Sequence, residues 1–93
     1  MPAEYKVDIS RQFRKIERTS GKRFIKRKKL ELLLSERRIL GHEQAYATRM
    51  YKRDWPKHYL SQKRRLVFKR FAVQKGKEIG YIDKLIKGLF AGK

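Results

Sequence analysis

The side chains able to do chemistry are few: two histidines, His42 and His58, nine carboxylates and no cysteine, against 27 lysines and arginines. Gly41 to Ala45 (GHEQA) begins like the helix of a zinc protease. That chemistry needs a second histidine four residues after the first, so that both imidazoles face one metal, and position 46 is a tyrosine. Gly21-Lys22 and Gly76-Lys77 likewise lack the upstream glycine and the following Ser or Thr of a phosphate-cradling loop. The acids are scattered singly, most of them beside bases. Glu17, Glu31 and Glu36 read as helix-surface partners of arginines and not as holders of a catalytic divalent ion. With no thiol and no Ser-His-Asp logic, the expectation is a protein without catalysis, cofactor or metal.

Cations are what the chain has in abundance, for a formal net charge of +18. They are densest at Lys22, Arg23, Lys26, Arg27, Lys28 and Lys29. A second stretch, Tyr46 to Phe71, threads Tyr46, Tyr51, Trp55, Tyr59, Phe68 and Phe71 through Arg49, Lys52, Arg53, Lys57, Lys63, Arg64, Arg65, Lys69 and Arg70, with Asp54 its one acid. Cationic heads attract phosphates, and aromatic faces either close a core or stack on unpaired bases. A merely solvated face accounts poorly for such density, because an exposed ion pair contributes only about 0 to 1 kcal/mol and solubility needs far less charge. Bases in the first turns of a helix also oppose its dipole by about 0.3 to 1 kcal/mol each, an arrangement that favours an anionic partner over stability. The expected nucleic-acid-binding residues are the fifteen bases named above together with Trp55 and Tyr59. Tyr51, Trp55 and Tyr59 divide between core closure and contact with bases, whereas Phe13, Phe24, Phe68 and Phe71 are expected in the core.

Helices are the elements expected to position these residues. Residues 1 to 7 carry no periodic pattern and read as a short basic N-terminal arm that orders on a partner. Residues 8 to 93 read as a single helical domain. Asp8 is the expected N-cap of a first helix bearing Ile9, Phe13 and Ile16 on one face and ending near Thr19 at Ser20-Gly21. Lys22 to Leu40 is the expected core helix, with Ile25, Leu32, Leu33, Ile39 and Leu40 on a broad stripe widened by Phe24, Leu30 and Leu34, and with Gly41 as its C′ glycine. His42 to Asp54 reads as a third helix. Pro56 then fits the first turn of another, capped by Asp54 and running to Gln74, with a hairpin on RRLVFKRFAV as the rival. Gly76 and Gly80 weaken any continuation. Ile82, Leu85, Ile86 and Leu89 form a stripe that docks on the bundle or, alternatively, lies on an acidic membrane.

An apolar fraction of 40% with 12% aromatics argues for folding rather than a disordered basic tail. No apolar run approaches the ~20 residues of a membrane span. The lack of cysteine and of a visible targeting segment points to an intracellular setting: cytoplasm, nucleoid or an organelle matrix. The expectation is thus an all-α domain of three or four helices that binds nucleic acid mainly through phosphates. RNA in a ribonucleoprotein such as a ribosome, with neighbouring proteins as further partners, comes first because charge lies on every segment. A plasmid, phage or chromosomal DNA-binding protein with the Lys63 to Arg70 helix in a major groove is the alternative. A cationic membrane-surface protein and a protein-binding inhibitor are the readings from other classes.

Overall fold

The computed structural model describes residues 3 to 91, which form three helices: α1 (Ala3–Thr19), α2 (Lys22–Lys52) and α3 (Tyr59–Ala91). There is no strand among the described residues, so RRLVFKRFAV lies inside α3 and the hairpin is displaced. α2 and α3 form an antiparallel hairpin, its register marked by Arg37 to Asp83, Gln44 to Ala72 and Tyr51 to Arg65. At 31 and 33 residues they span about 46 and 50 Å at a rise of 1.5 Å per residue, matching a molecule 57 × 20 × 18 Å across. α1 packs back along the N-terminal half of α2, with Glu17 beside Lys29 and Tyr5 beside Glu36.

Several expected boundaries move. α1 is helical from Ala3, so Asp8 lies within the helix and pairs with Arg11 instead of capping; the extended arm is replaced over Ala3 to Val7, while Met1 and Pro2 lie outside the described residues. The break at Ser20-Gly21 is where the sequence places it. Gly41, Gly76 and Gly80 are interior to helices, and no described residue has a positive φ. An interior glycine costs about 1 kcal/mol, and packing of the long helices on each other outweighs it. Gly76 has a reason of its own. A Cβ there would come within 2.9 Å of Gln44 Nε2, which donates to the Ala72 carbonyl, so the Gln44 amide occupies the space that a side chain at 76 would take.

The corner between α2 and α3 accounts for its polar groups one by one. At the end of α2 the Arg49 carbonyl accepts from the Arg53 N–H, that of Met50 from the Trp55 indole at 2.7 Å, and that of Tyr51 from Arg65 Nε at 3.1 Å. These are the carbonyls that a helix end leaves without partners. α3 starts at Tyr59, beyond Pro56, and its cap is His58, whose Nδ1 accepts the Leu60 N–H; Asp54 does not cap it.

The core is small and sits at the three-helix end. Ile9, Leu33, Leu40 and Ile82 are buried, with Tyr5, Phe13, Ile79, Leu85, Ile86 and Leu89 packed around them. The C-terminal stripe thus docks as the last turns of α3. Toward the corner the molecule is two helices thick, closed by Ala47 and by Phe68 with Trp55 and Tyr46 against its ring. Phe24 and Phe71, expected in the core, are 51% and 41% exposed, and Ile39 also faces outward. Their stripes are broader than the neighbouring helices cover, two at the α1 end and one toward the corner.

Candidate nucleic-acid interface

The first basic cluster occupies the uncapped start of α2, where no side chain bonds the free N–H groups and no acid lies in the first turn. Lys22, Arg23, Lys26 and Lys28 are exposed and without a carboxylate partner among the described residues, and Arg27 has only the exposed Glu31 at 3.4 Å. Lys29 differs. It is half-buried, 2.7 Å from Glu17, with its ammonium 5.1 Å from the centre of the Phe13 ring, which makes it a tie between α1 and α2. Lys22 and Lys26 share a shallow hollow with Gly88 and Leu89, so the last turns of α3 border the same end.

The second cluster lies at the opposite end of α2, about 35 Å from the first by helix rise between Lys26 and Arg49. Arg49, Lys52, Arg53, Lys57, Lys63, Arg64, Lys69 and Arg70 are exposed, and none forms an ion pair among the described residues. Arg65 is half-buried and committed to Tyr51 and Gln62.

The interleaved aromatics serve these cations first. The Arg53 guanidinium lies 4.2 Å from the Trp55 ring, Arg65 and Lys69 lie 4.4 and 5.8 Å from Tyr51, and Lys63 lies 5.3 Å from Tyr59. The negative face of each ring steadies a charge where acids are lacking. Trp55 is thereby assigned to closing the corner: its N–H is used, and its ring lies 5.9 Å from that of Phe68. Tyr59 is 71% exposed, the most exposed of the large hydrophobic side chains among the described residues.

The unbroken α3 also aligns two of the expected bases, Lys63 and Arg70, with two outside the expected set, Lys77 and Lys84. Lys63, Arg70, Lys77 and Lys84 recur every seven residues, all exposed, and none is ion-paired among the described residues. Seven residues are about 10.5 Å of helix, so the row runs about 32 Å with only a slow drift around the axis. Leu66 and Val73 lie along it, in hollows shared with Lys63, Arg70 and Lys77. The seven-residue spacing is legible in the sequence, but only once Gly76 and Gly80 are taken as helical.

Acids gather in one place. Lys75 lies 3.3 Å from Glu43 and 3.5 Å from Glu78, which is 6% exposed. Burial first, and then the carboxylates of Glu36, Glu78 and Glu43, push the Tyr5 phenol above its ordinary value. His42 lines a groove between α2 and α3, and His58 caps α3, so the two histidines serve separate places. Among the described residues no three metal-ligating side chains converge, and no helix is long and apolar enough to cross a membrane. Comparison with known proteins finds no family model, curated protein or solved structure that matches the chain.

Proposed function

We propose that the protein binds structured nucleic acid without catalysis, mainly through phosphates, as an RNA-binding component of a ribonucleoprotein. The observation that supports this best is the row Lys63, Arg70, Lys77 and Lys84, a slowly drifting line of cations about 32 Å long that no carboxylate neutralises among the described residues. A regular line of charge on a rigid helix suits a backbone of evenly spaced phosphates, which is read by position and not by base identity. RNA is favoured because cations also crowd α1 (Arg14, Lys15, Arg18) and the start of α2, an arrangement suited to burial among several strands.

Binding of a duplex RNA, the DNA duplex of the same sequence and a single strand, each measured over a range of salt, tests this reading. The expected log–log slope is about −0.9 per phosphate engaged on B-DNA and about −0.7 on a single strand. A flat slope on all three removes nucleic acid as the partner. Binding of the DNA duplex tighter than both RNA forms moves the reading to a DNA-binding protein with α3 in a groove.

A further inference from the structure

The hairpin carries its third helix over one half only. α1, at 17 residues, covers about 26 Å of a hairpin nearly 50 Å long. Tyr5, near its start, meets Glu36 of α2 and Tyr81 of α3. Seven residues beyond Glu36 on the same face of α2 is Glu43, and seven residues before Glu78 on the same face of α3 is Phe71. Both line a groove of about 410 Å³, completed by His42, Tyr46, Val67 and Phe68. The groove is thus the coaxial continuation of the channel that α1 fills, left open among the described residues.

Its floor is apolar, with Tyr46 and Val67 more than half exposed. Exposed apolar surface of this kind, side by side across two helices, marks an interaction site. Its borders are cationic. Arg38 and Arg49 lie one turn from His42 and Tyr46 on α2, Arg64 lies one turn from Val67 on α3, and all three are exposed. The acid at the groove, Glu43, is already taken by Lys75 at 3.3 Å.

We infer that this groove receives an amphipathic helix of a partner protein, apolar on one face and acidic along both flanks, which completes a three-helix bundle over the second half of the hairpin. Charge complementarity selects this occupant. A second copy of the chain would bring another +18 against the same arginines. From the level of Glu36 to that of Met50 is about 21 Å, so the helix received is about 14 residues long. This surface adjoins the row on α3, because Val67 also lines the hollow of Lys63 and Arg70, but the inference does not depend on the nucleic-acid reading.

The test uses a fluorescent 14-residue peptide with leucines at helical positions i, i+3, i+7 and i+10 and glutamates beside them, and a second peptide of the same composition in scrambled order. The intact chain should bind the patterned peptide at least tenfold more tightly than the scrambled one. Tyr46→Gln/Val67→Gln, at exposed positions, should remove that margin while leaving helical circular dichroism unchanged; Val67→Gln alone should narrow it if the double variant does not fold. Equal binding of the two peptides would reduce the effect to net charge and overturn the inference. So would a margin that survives in both variants, a double variant that loses oligouridine binding while keeping the peptide margin, or a wild-type dimer in sedimentation that the double variant abolishes.

Discussion

Replacing Lys63, Arg70, Lys77 and Lys84 together by glutamine isolates the row on α3 from the rest of the charge. All four are exposed and free of ion pairs among the described residues, and glutamine is close to lysine and arginine in helix propensity, so the helix should persist. Net charge falls from +18 to +14 by subtraction of four, which relieves self-repulsion and should leave thermal stability equal or higher. If each residue engages one phosphate, the log–log salt slope shrinks by roughly 2.8 on a single strand and roughly 3.6 on B-form duplex. Between 50 and 200 mM salt, about 0.6 of a decade, the variant should therefore lose roughly 50- to 150-fold less affinity than the wild type loses. Fluorescence anisotropy of a labelled 30-mer at four salt concentrations reads this directly. The control removes four exposed cations that the nucleic-acid reading does not use, Lys6, Arg11, Arg38 and Lys87, for the same change in charge. If the row variant keeps the wild-type slope, or the control matches it, the row is not the phosphate contact.

Four further outcomes follow from local geometry. Gly41→Ala and Gly80→Ala, where an added Cβ meets nothing within 4 Å, should each stabilise by about 0.5 to 1 kcal/mol in urea unfolding. Gly76→Ala should come out near neutral, because a similar propensity gain is offset by about 1 kcal/mol for displacing the Gln44 amide from the Ala72 carbonyl. Trp55→Ala should cost about 1 to 3 kcal/mol, less than a fully buried tryptophan because the ring is half exposed, and single-stranded RNA should leave wild-type Trp55 fluorescence unquenched. For Tyr5 the folded phenol is raised above its unfolded value of 10.0, so the contribution is constant below pH 10 and lost as pH rises beyond it; Tyr5→Phe, which loses the bond to Glu36, should be less stable than the wild type by up to about 1 kcal/mol below pH 10, and that deficit should shrink and then reverse above it.

Helix class, the turn at Ser20-Gly21 and the apolar stripes of α1 and the C-terminal segment were legible because they rest on periodicity, which burial enforces. Leu33, Leu40 and Ile82 fall where the pattern puts them. The ends of α2 and α3 were not legible. A glycine marks a probable stop only when local propensity decides, and in helices of more than 30 residues the packing of distant turns carries the chain through Gly41, Gly76 and Gly80. Phe24 and Phe71 were misplaced for a related reason. A broad stripe reads as core when three neighbours are assumed, and each half of this hairpin has fewer. The basic segments could be picked out by density, but their separation could not, since only an unbroken α2 puts its two ends about 35 Å apart. The role of Trp55 needed the corner itself, where a helix end requires a donor.

The corner at 53 to 58 also sets the order in which the molecule can assemble. Its ties join residues close in sequence, Met50 to Trp55 and Tyr51 to Arg65, so loop closure there costs little entropy. Tyr5 and Tyr81, which meet at the three-helix end, are 76 positions apart, and the buried core of Ile9, Leu33 and Ile82 forms only when that span is closed. Folding should start locally, at the corner and at the Ser20-Gly21 turn where Glu17 and Lys29 are 12 positions apart, and close on the shared core last. Substitutions at the corner should then slow the folding arm of a chevron, and truncations at Ile9 or Ile82 should speed the unfolding arm. The most heavily buried part of the protein is in this sense the last to form and the first to open.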